Sequence, residues 1–220
     1  MRLPGLAAAA AVVVLVAGCG SDDGTTTAAA ETSGDPAAGC TAVEKPAAKT
    51  DGGQQAPTQP LATGKTYELV FTTNCGPFTV TLDQKTAPKT AASLVSLARS
   101  GFFDDTTFHR IVPGFVIQGG DPTQTGSGGP GYSTVDVPPA DAKYTKGVVA
   151  MAKTGAEPPG TSGSQFFVVT GADAGLPPDY AVVGKVTDGL DVVERIGGLG
   201  DASEQPTQPV VIEKVTVQES

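Results

Sequence analysis

The chain has 220 residues, among them 29 Gly, 18 Pro, three Cys and a single His, and its formal net charge is −9 at pH 7. This acidic balance argues against binding to nucleic acid or to anionic membranes, because phosphate recognition needs clustered Lys and Arg. With one His and three Cys, the chain also has few residues for a zinc site of the usual His/Cys type, which takes three or four such ligands. We therefore expect no metal ion and no cofactor.

The N-terminal sequence predicts an export signal. Arg2 precedes the apolar run Leu6 to Val16, whose ~11 residues are too short to cross a bilayer but fit the hydrophobic region of a secretory signal. The sequence Val16-Ala17-Gly18-Cys19 resembles the lipobox of bacterial lipoproteins, in which the Cys is acylated and becomes the first residue. This resemblance implies a signal peptide over 1–18, lipidation at Cys19 and a location outside the cell membrane. The alternative is an ordinary signal peptide in which Cys19 stands by chance.

A polar segment separates this leader from the remainder of the chain. Residues 19–62 are rich in Thr, Ala, Gly, Pro, Gln and Asp, a composition typical of disordered linkers. They are predicted to form a tether for a single folded domain over 63–220.

Cys40 and Cys75 remain once Cys19 is set aside, and an even pair of cysteines outside the cytosol suggests a disulfide. Two free thiols are the alternative.

From Thr66 onward the hydrophobic pattern predicts a mainly β domain. Alternating apolar residues from Tyr67 to Leu82 flank an Asn-Cys-Gly turn and indicate a hairpin. A helix is predicted between the N-cap Thr86 and Gly101, with Ala91, Leu94, Val95 and Ala98 on its apolar face, and a second over Gly189–Ile196 with Asp188 as its cap. Further short strands are predicted at Phe108–Val112, Phe115–Gln118, Val148–Met151, Phe166–Val169, Ala181–Val186 and Val210–Val217. Many short strands with two helices favour a closed β-barrel, since closure removes exposed strand edges.

Two familiar motifs can be set aside. The run from Gly126 to Gly131 matches GxGxxG, but it contains Pro130 and does not lead into a helix, so a dinucleotide site is not expected there. A serine hydrolase would need a base and a GxSxG turn, and the only His is His109, with no such turn in the chain.

Two other runs combine aromatic and hydrogen-bonding residues. The first extends from Phe108 to Asp121 with the sequence FHRIVPGFVIQGGD, and the second from Gly163 to Thr170 with the sequence GSQFFVVT. Residues two apart on a strand point to the same side. If the two strands meet, they would form an apolar pocket with Arg110 at its rim.

Together these runs resemble the cyclophilin family of peptidyl-prolyl cis/trans isomerases. The pattern FHRxxPGFxxQGGD, a GxGGPGY loop, the pattern GSQFF and the strand from Tyr180 to Val186 occur in the family's order. The resemblance spans Thr66–Val217. It implies a closed eight-stranded antiparallel barrel with two flanking helices, and a catalytic groove on the outer face of the barrel.

The resemblance also implies the residues of the site. His109 would hold a structural position and would not act as an acid or base. The implied catalytic residues are Arg110, Phe115 and Gln118, and the implied substrate-binding residues are Val116, Ala152, Lys153, Gln165, Phe167, Leu176 and Tyr180.

The expected function is rotation of X-Pro bonds, which assists the folding of proteins outside the cytoplasm. The implied partners are proline-containing peptides and unfolded secreted proteins; no nucleic acid is expected, membrane contact would be through the lipid alone, and a monomer is expected. Two alternatives are a module that binds such peptides without turnover and a purely structural surface protein that binds no peptide. Four positions depart from the family: Val116 stands where Met is usual, Lys153 where Asn, Gly175 where Trp and Tyr180 where His. The loop from Thr154 to Thr161 is also longer than usual.

Overall fold

A nine-stranded antiparallel sheet forms the centre of the computed structural model, which describes residues 39–220. The predicted signal peptide 1–18 and the predicted lipidation site Cys19 lie outside the described residues. The strands are β1 (Tyr67–Thr73), β2 (Gly76–Leu82), β3 (Thr106–Thr107), β4 (Arg110–Val112), β5 (Val116–Gly119), β6 (Thr134–Val135), β7 (Val148–Met151), β8 (Thr161–Ser162), β9 (Phe166–Val169), β10 (Val182–Asp188) and β11 (Val211–Glu219). The helices are α1 (Pro88–Arg99) and α2 (Leu190–Gly197).

The sheet curls into a half-barrel and does not close, so the predicted closed eight-stranded barrel is wrong. The strand order is β3-β11-β1-β2-β10-β7-β9-β5-β4, and β6 and β8 form a separate pair. The two edge strands, β3 and β4, have only two and three residues and do not pair with each other. A loop covers the β4 edge instead, since the Ile111 amide donates to the Glu204 carbonyl oxygen at 3.0 Å. A loop that pairs with an edge strand occupies its free backbone groups, as closure of the barrel would.

Both predicted helices are present, but their caps differ from the prediction. Helix α1 buries the predicted apolar face and carries Pro88 in its first turn. Its N-cap is Ala87, because the Thr86 hydroxyl donates to Asp83 Oδ2 at 2.6 Å. The cap of α2 is Gly189, at φ +73°, and not Asp188. A Cβ at Gly189 would lie 2.5 Å from the Pro77 carbonyl oxygen, so only glycine fits.

The main core lies inside the curl of the sheet and against both helices. It includes the stacked rings of Phe71 and Phe78, whose centroids are 4.7 Å apart, and the ring of Phe166, which packs edge-on against Phe108. Within residues 39–220, no helix is long and apolar enough to cross a membrane.

The C-terminal part of the predicted tether lies on the domain. We call residues 40–54 the strap. The structure joins Cys40 to Cys75 in a disulfide, and the Thr41 amide donates to the Asn74 carbonyl oxygen at 2.7 Å. Further along, the Lys49 amide donates to the Pro122 carbonyl oxygen at 2.8 Å. Composition suggested disorder for this segment because it has few apolar side chains. The strap is held on the domain by backbone hydrogen bonds and by the disulfide, neither of which requires apolar side chains.

His109 lies between β3 and β4 and is mostly buried. Neither ring nitrogen has a hydrogen-bond partner within the described part of the chain. Burial lowers the pKa of His109 below 6.5, and the positive charges of Arg110 and Lys45 lower it further, while Asp121 opposes the shift. The neutral ring is therefore the favoured form.

The lowered pKa of His109 predicts a loss of stability in mild acid. The unfolded chain takes up the proton first as the pH falls, so this contribution to the unfolding free energy is present above ~6.5 and is lost below it. Urea unfolding between about pH 5 and 7.5 would measure it. The variant His109→Gln should show a smaller decrease over this range, and equal decreases in both proteins would refute the prediction.

Candidate active site

The register of four strands places the polar and apolar site residues in one row. Arg110 on β4 pairs with Gln118 on β5, and Gln118 pairs with Phe167 on β9, which pairs in turn with Ala150 on β7. Directly paired residues share a face of the sheet. The intervening residues on these strands, among them Ile117, face the main core and are fully buried. The same short strands therefore form the core on one face and the candidate site on the other.

A cavity of about 220 Å³ opens on this outer face. It is smaller than the roughly 300–1,000 Å³ of pockets for drug-sized ligands, so it suits a single small ring or side chain. All three predicted catalytic residues and six of the seven predicted substrate-binding residues line it: Arg110, Phe115, Val116, Gln118, Ala152, Lys153, Phe167, Leu176 and Tyr180. The seventh, Gln165, lines the neighbouring cavity.

The base of the cavity is apolar and supported by aromatic contacts. Val116 is 2% exposed and Phe167 is 5% exposed. The rings of Phe167 and Tyr180 meet edge-on, with centroids 5.6 Å apart. Beneath them lies Tyr144, whose hydroxyl donates to the Tyr180 carbonyl oxygen at 2.7 Å and accepts from the Tyr180 amide at 3.1 Å. Tyr144 was not among the predicted site residues, because its only signal in the sequence is that of a lone aromatic residue in a polar segment.

The guanidinium of Arg110 is held at the rim from two sides. Its Nε donates to Glu204 Oε2 at 2.6 Å, and its Nη1 donates to Gln118 Oε1 at 3.3 Å. Nη2 has no hydrogen-bond partner among residues 39–220, and the side chain is one-third exposed. One donor nitrogen is therefore left for a ligand in the cavity.

Glu204 is a second residue that sequence reasoning missed. It lies 94 positions from Arg110 in a loop, at φ +64°. The Asp201 side chain shapes this loop by accepting the amides of Ser203 and Gln205 at 2.7 and 2.9 Å. No local pattern links so distant a carboxylate to Arg110, and only the tertiary fold brings the two together.

Lys153 lines the cavity, but its charge is used within the protein. The side chain is 5% exposed, and Nζ donates to the carbonyl oxygens of Thr154 and Glu157 at 3.3 and 3.1 Å. The ammonium also lies 5.5 Å from the centroid of the Tyr180 ring, within range of a cation–π interaction. Its contacts therefore stabilise its own loop and the Tyr180 wall.

A second cavity of about 590 Å³ adjoins the first and shares Gln118, Ala152 and Lys153 with it. Its walls include Gln165 and the loop from Gly126 to Gly131. This loop continues to the short strand β6 and opens no helix. A larger cavity of about 980 Å³ lies elsewhere and includes none of the predicted site residues.

Comparison with known proteins shows the family to which the chain belongs. The family model described as cyclophilin type peptidyl-prolyl cis-trans isomerase/CLD matches residues 68–217. Peptidyl-prolyl cis-trans isomerase A of Mycobacterium tuberculosis is 40% identical over 177 residues, with coverage of 72% of this chain and 94% of the relative. A peptidyl-prolyl cis-trans isomerase of Arabidopsis thaliana is 36% identical over 159 residues, which cover 70% of this chain and 95% of that relative.

Solved structures show the same relationship. A crystal structure of a cyclophilin type peptidyl-prolyl cis-trans isomerase from Cryptosporidium parvum aligns with a TM-score of 0.64 at 32% identity and covers 70% of this chain and 98% of that one. The same protein was also crystallised in the presence of the dipeptide Ala-Pro, and that structure aligns with a TM-score of 0.63. The chain therefore belongs to the cyclophilin family and is a peptidyl-prolyl cis-trans isomerase.

Proposed function

We propose that this isomerase rotates X-Pro bonds at the cavity beside Arg110 and thereby assists the folding of proteins outside the cytoplasm. One observation carries the assignment of the site: a guanidinium fixed on two sides, with Nη2 unpaired among residues 39–220, stands at the rim of a small apolar cavity. A proline ring would occupy the cavity, and the peptide chain would cross its rim.

The reaction requires only rotation about one bond. Amide resonance opposes this rotation with a barrier of ~18–20 kcal/mol, and the uncatalysed process takes tens of seconds or longer. No covalent bond is made or broken, so neither a nucleophile nor a proton acceptor is needed. The enzyme has to hold one side of the bond and favour the twisted state.

Arg110 would stabilise the twisted state. When the bond is twisted, the prolyl nitrogen regains its lone pair and becomes a hydrogen-bond acceptor. A donor aimed at that nitrogen binds the transition state more strongly than the planar ground state, and this difference lowers the barrier. Arg suits this role because it stays charged at any working pH and has a rigid planar head group.

The other site residues would hold the substrate. Phe115, Val116 and Phe167 would enclose the proline ring, with Leu176 and Tyr180 completing the apolar wall. Gln118, which already contacts Arg110, would hold the peptide backbone together with Gln165 and the main chain at Ala152. The related structure obtained with Ala-Pro supports proline-containing peptides as the substrate class.

Two features support a location outside the cytoplasm. The lipobox-like sequence at Val16–Cys19 predicts an acyl anchor, and the Cys40–Cys75 disulfide is of a kind that persists in oxidising compartments.

Arg110→Ala should lower kcat/KM for a proline peptide at least about tenfold, equivalent to about 1.4 kcal/mol of transition-state stabilisation, without unfolding the domain. A coupled isomerisation assay would measure this. Arg99→Ala is the matched control, because Arg99 also forms an exposed ion pair, with Glu219, and contributes nothing to the cavity. Unchanged turnover in folded Arg110→Ala would remove Arg110 from the mechanism. A wild-type protein that binds proline peptides without turnover would indicate a binding module.

Glu204→Ala should lower kcat/KM by up to about fivefold, because the guanidinium loses one of its two supports. An exposed ion pair contributes about 0.2–1 kcal/mol, which sets the limit of the effect. Glu194→Ala removes a similar exposed pair, with Lys146, and should leave turnover unchanged. Equal rates in both variants would show that Glu204 does not position Arg110.

Cys19→Ala should release the protein from the membrane. In a bacterial host that processes lipoproteins, the wild-type chain should enter the detergent phase on Triton X-114 partitioning, and the variant should stay in the aqueous phase. Cys40→Ala, which leaves Cys19 in place, is the control and should partition like the wild type. A wild-type protein in the aqueous phase, or one protected from protease added to spheroplasts whose cytoplasmic membrane is intact, would contradict the proposed location.

A further inference from the structure

The strap lies outside residues 68–217, which the family model matches, so the family does not explain what it does. Its first part is attached at two places. The disulfide fixes Cys40 to Cys75, and Lys49 Nζ donates to the carbonyl oxygens of Gly101 and Phe102, each at 3.3 Å, and to that of Asp104. The strap is thus held in place before it reaches the second cavity.

Its last residues pair with the Gly-rich loop from Gly126 to Gly131. Asp51 Oδ1 accepts the Gly129 amide at 2.8 Å, and the Gly52 amide donates to the Gly129 carbonyl oxygen at 2.9 Å. A Cβ added to Gly131 would lie 3.1 Å from the Gly52 Cα. The absence of a side chain at Gly131 therefore allows this close approach of the two backbones.

The same loop is held on its inner side by a buried carboxylate. Asp121 is fully buried and accepts the amides of Thr125 and Gly126 at 3.0 and 2.6 Å. Burial raises the pKa of Asp121, but the hydrogen bonds from Thr123 and from the loop amides outweigh it, so the pKa lies below its ordinary value. The loop is therefore fixed from inside by Asp121 and from outside by Asp51.

From this loop, a series of side-chain hydrogen bonds leads to Arg110. The Gly128 carbonyl oxygen, next to the amide that Asp51 binds, accepts from Gln165 Nε2 at 2.9 Å. Gln165 Oε1 accepts from Gln118 Nε2 at 3.0 Å, and Gln118 Oε1 accepts from Arg110 Nη1 at 3.3 Å. The side-chain amide of each glutamine therefore donates to one neighbour and accepts from the other. A shift of the loop would therefore remove the partner that orients Gln165, and through it Gln118.

We propose that Asp51 is a positioning residue of the active site, which holds the Gly128–Gly129 segment so that Gln165, Gln118 and Arg110 keep their orientation toward the substrate. The strap is then a functional part of the enzyme. This inference rests on the proposed function of the Arg110 cavity. It assigns a role to a residue that precedes the family domain and lines the second cavity, but does not line the cavity beside Arg110.

The test compares three variants of the full chain. Asp51→Ala removes the acceptor and should lower kcat/KM for a proline peptide about three- to fivefold, as expected for the loss of one hydrogen bond worth about 1 kcal/mol. Asp51→Asn keeps an oxygen that can accept the Gly129 amide and should remain within about twofold of the wild type. Glu44→Gln is the charge control, because Glu44 is an exposed strap residue without a hydrogen bond or ion pair in the described part of the chain.

Two kinetic outcomes would overturn the proposal. Folded Asp51→Ala with wild-type kinetics would show that the contact is dispensable. Asp51→Asn as impaired as Asp51→Ala would show that the charge matters and the hydrogen bond does not. Thermal unfolding of each variant identifies any loss of folded protein.

A second readout is independent of activity. In ¹⁵N-resolved NMR spectra, the side-chain amide signals of Gln165 and Gln118 should move in Asp51→Ala and stay in place in Glu44→Gln, and the Gly129 amide should exchange faster with solvent in Asp51→Ala. Unchanged Gln165 signals would overturn the positioning role even if the wild-type protein proved inactive. An inactive wild type whose Gln165 signals do respond would count against the proposed function alone.

Discussion

Antiparallel pairing of β4, β5 and β9 is the constraint on which the site depends. These strands are three or four residues long, yet their register places Arg110, Gln118 and Phe167 side by side on one face. A slip of one residue would turn all three into the core, because successive side chains on a strand point to opposite faces. The fully buried residues between them, such as Ile117 and Val168, oppose such a slip, so packing of the core also determines the geometry of the groove.

Around this row, three loops complete the site, and each is fixed by specific polar contacts. The loop at Glu204 neutralises and orients Arg110. The loop after Ala152 is held by the ammonium of Lys153, which also packs against Tyr180. The Gly-rich loop is held by Asp121 from within. In each case a charged side chain satisfies backbone groups or another side chain, so the groove has a defined rim although its walls are loops.

The strap adds a fourth support from outside the family domain. Its pairing with Gly129 and Pro130 consists mainly of backbone hydrogen bonds, which a polar, glycine-containing segment can form as readily as an apolar one. The disulfide limits how far the strap can leave the domain, since it closes a loop between positions 40 and 75 and so reduces the conformational entropy of the chain. A segment with the composition of a linker can thus serve as part of a folded enzyme.

The sequence by itself determined the mainly β class, both helices, most of the strands and nearly all residues of the cavity. The strands and helices follow from local periodicity. The cavity residues follow from the resemblance to the cyclophilin family, which rests on motifs such as the one that contains Arg110, Phe115 and Gln118. Only the tertiary structure decided that the sheet stays open, because the strand order depends on pairing between strands that are far apart in the chain. It alone decided that Glu204 meets Arg110, that Tyr144 supports Tyr180 and that the strap reaches the Gly-rich loop. These contacts join residues 36 to 94 positions apart, and no local pattern in the chain records such separations.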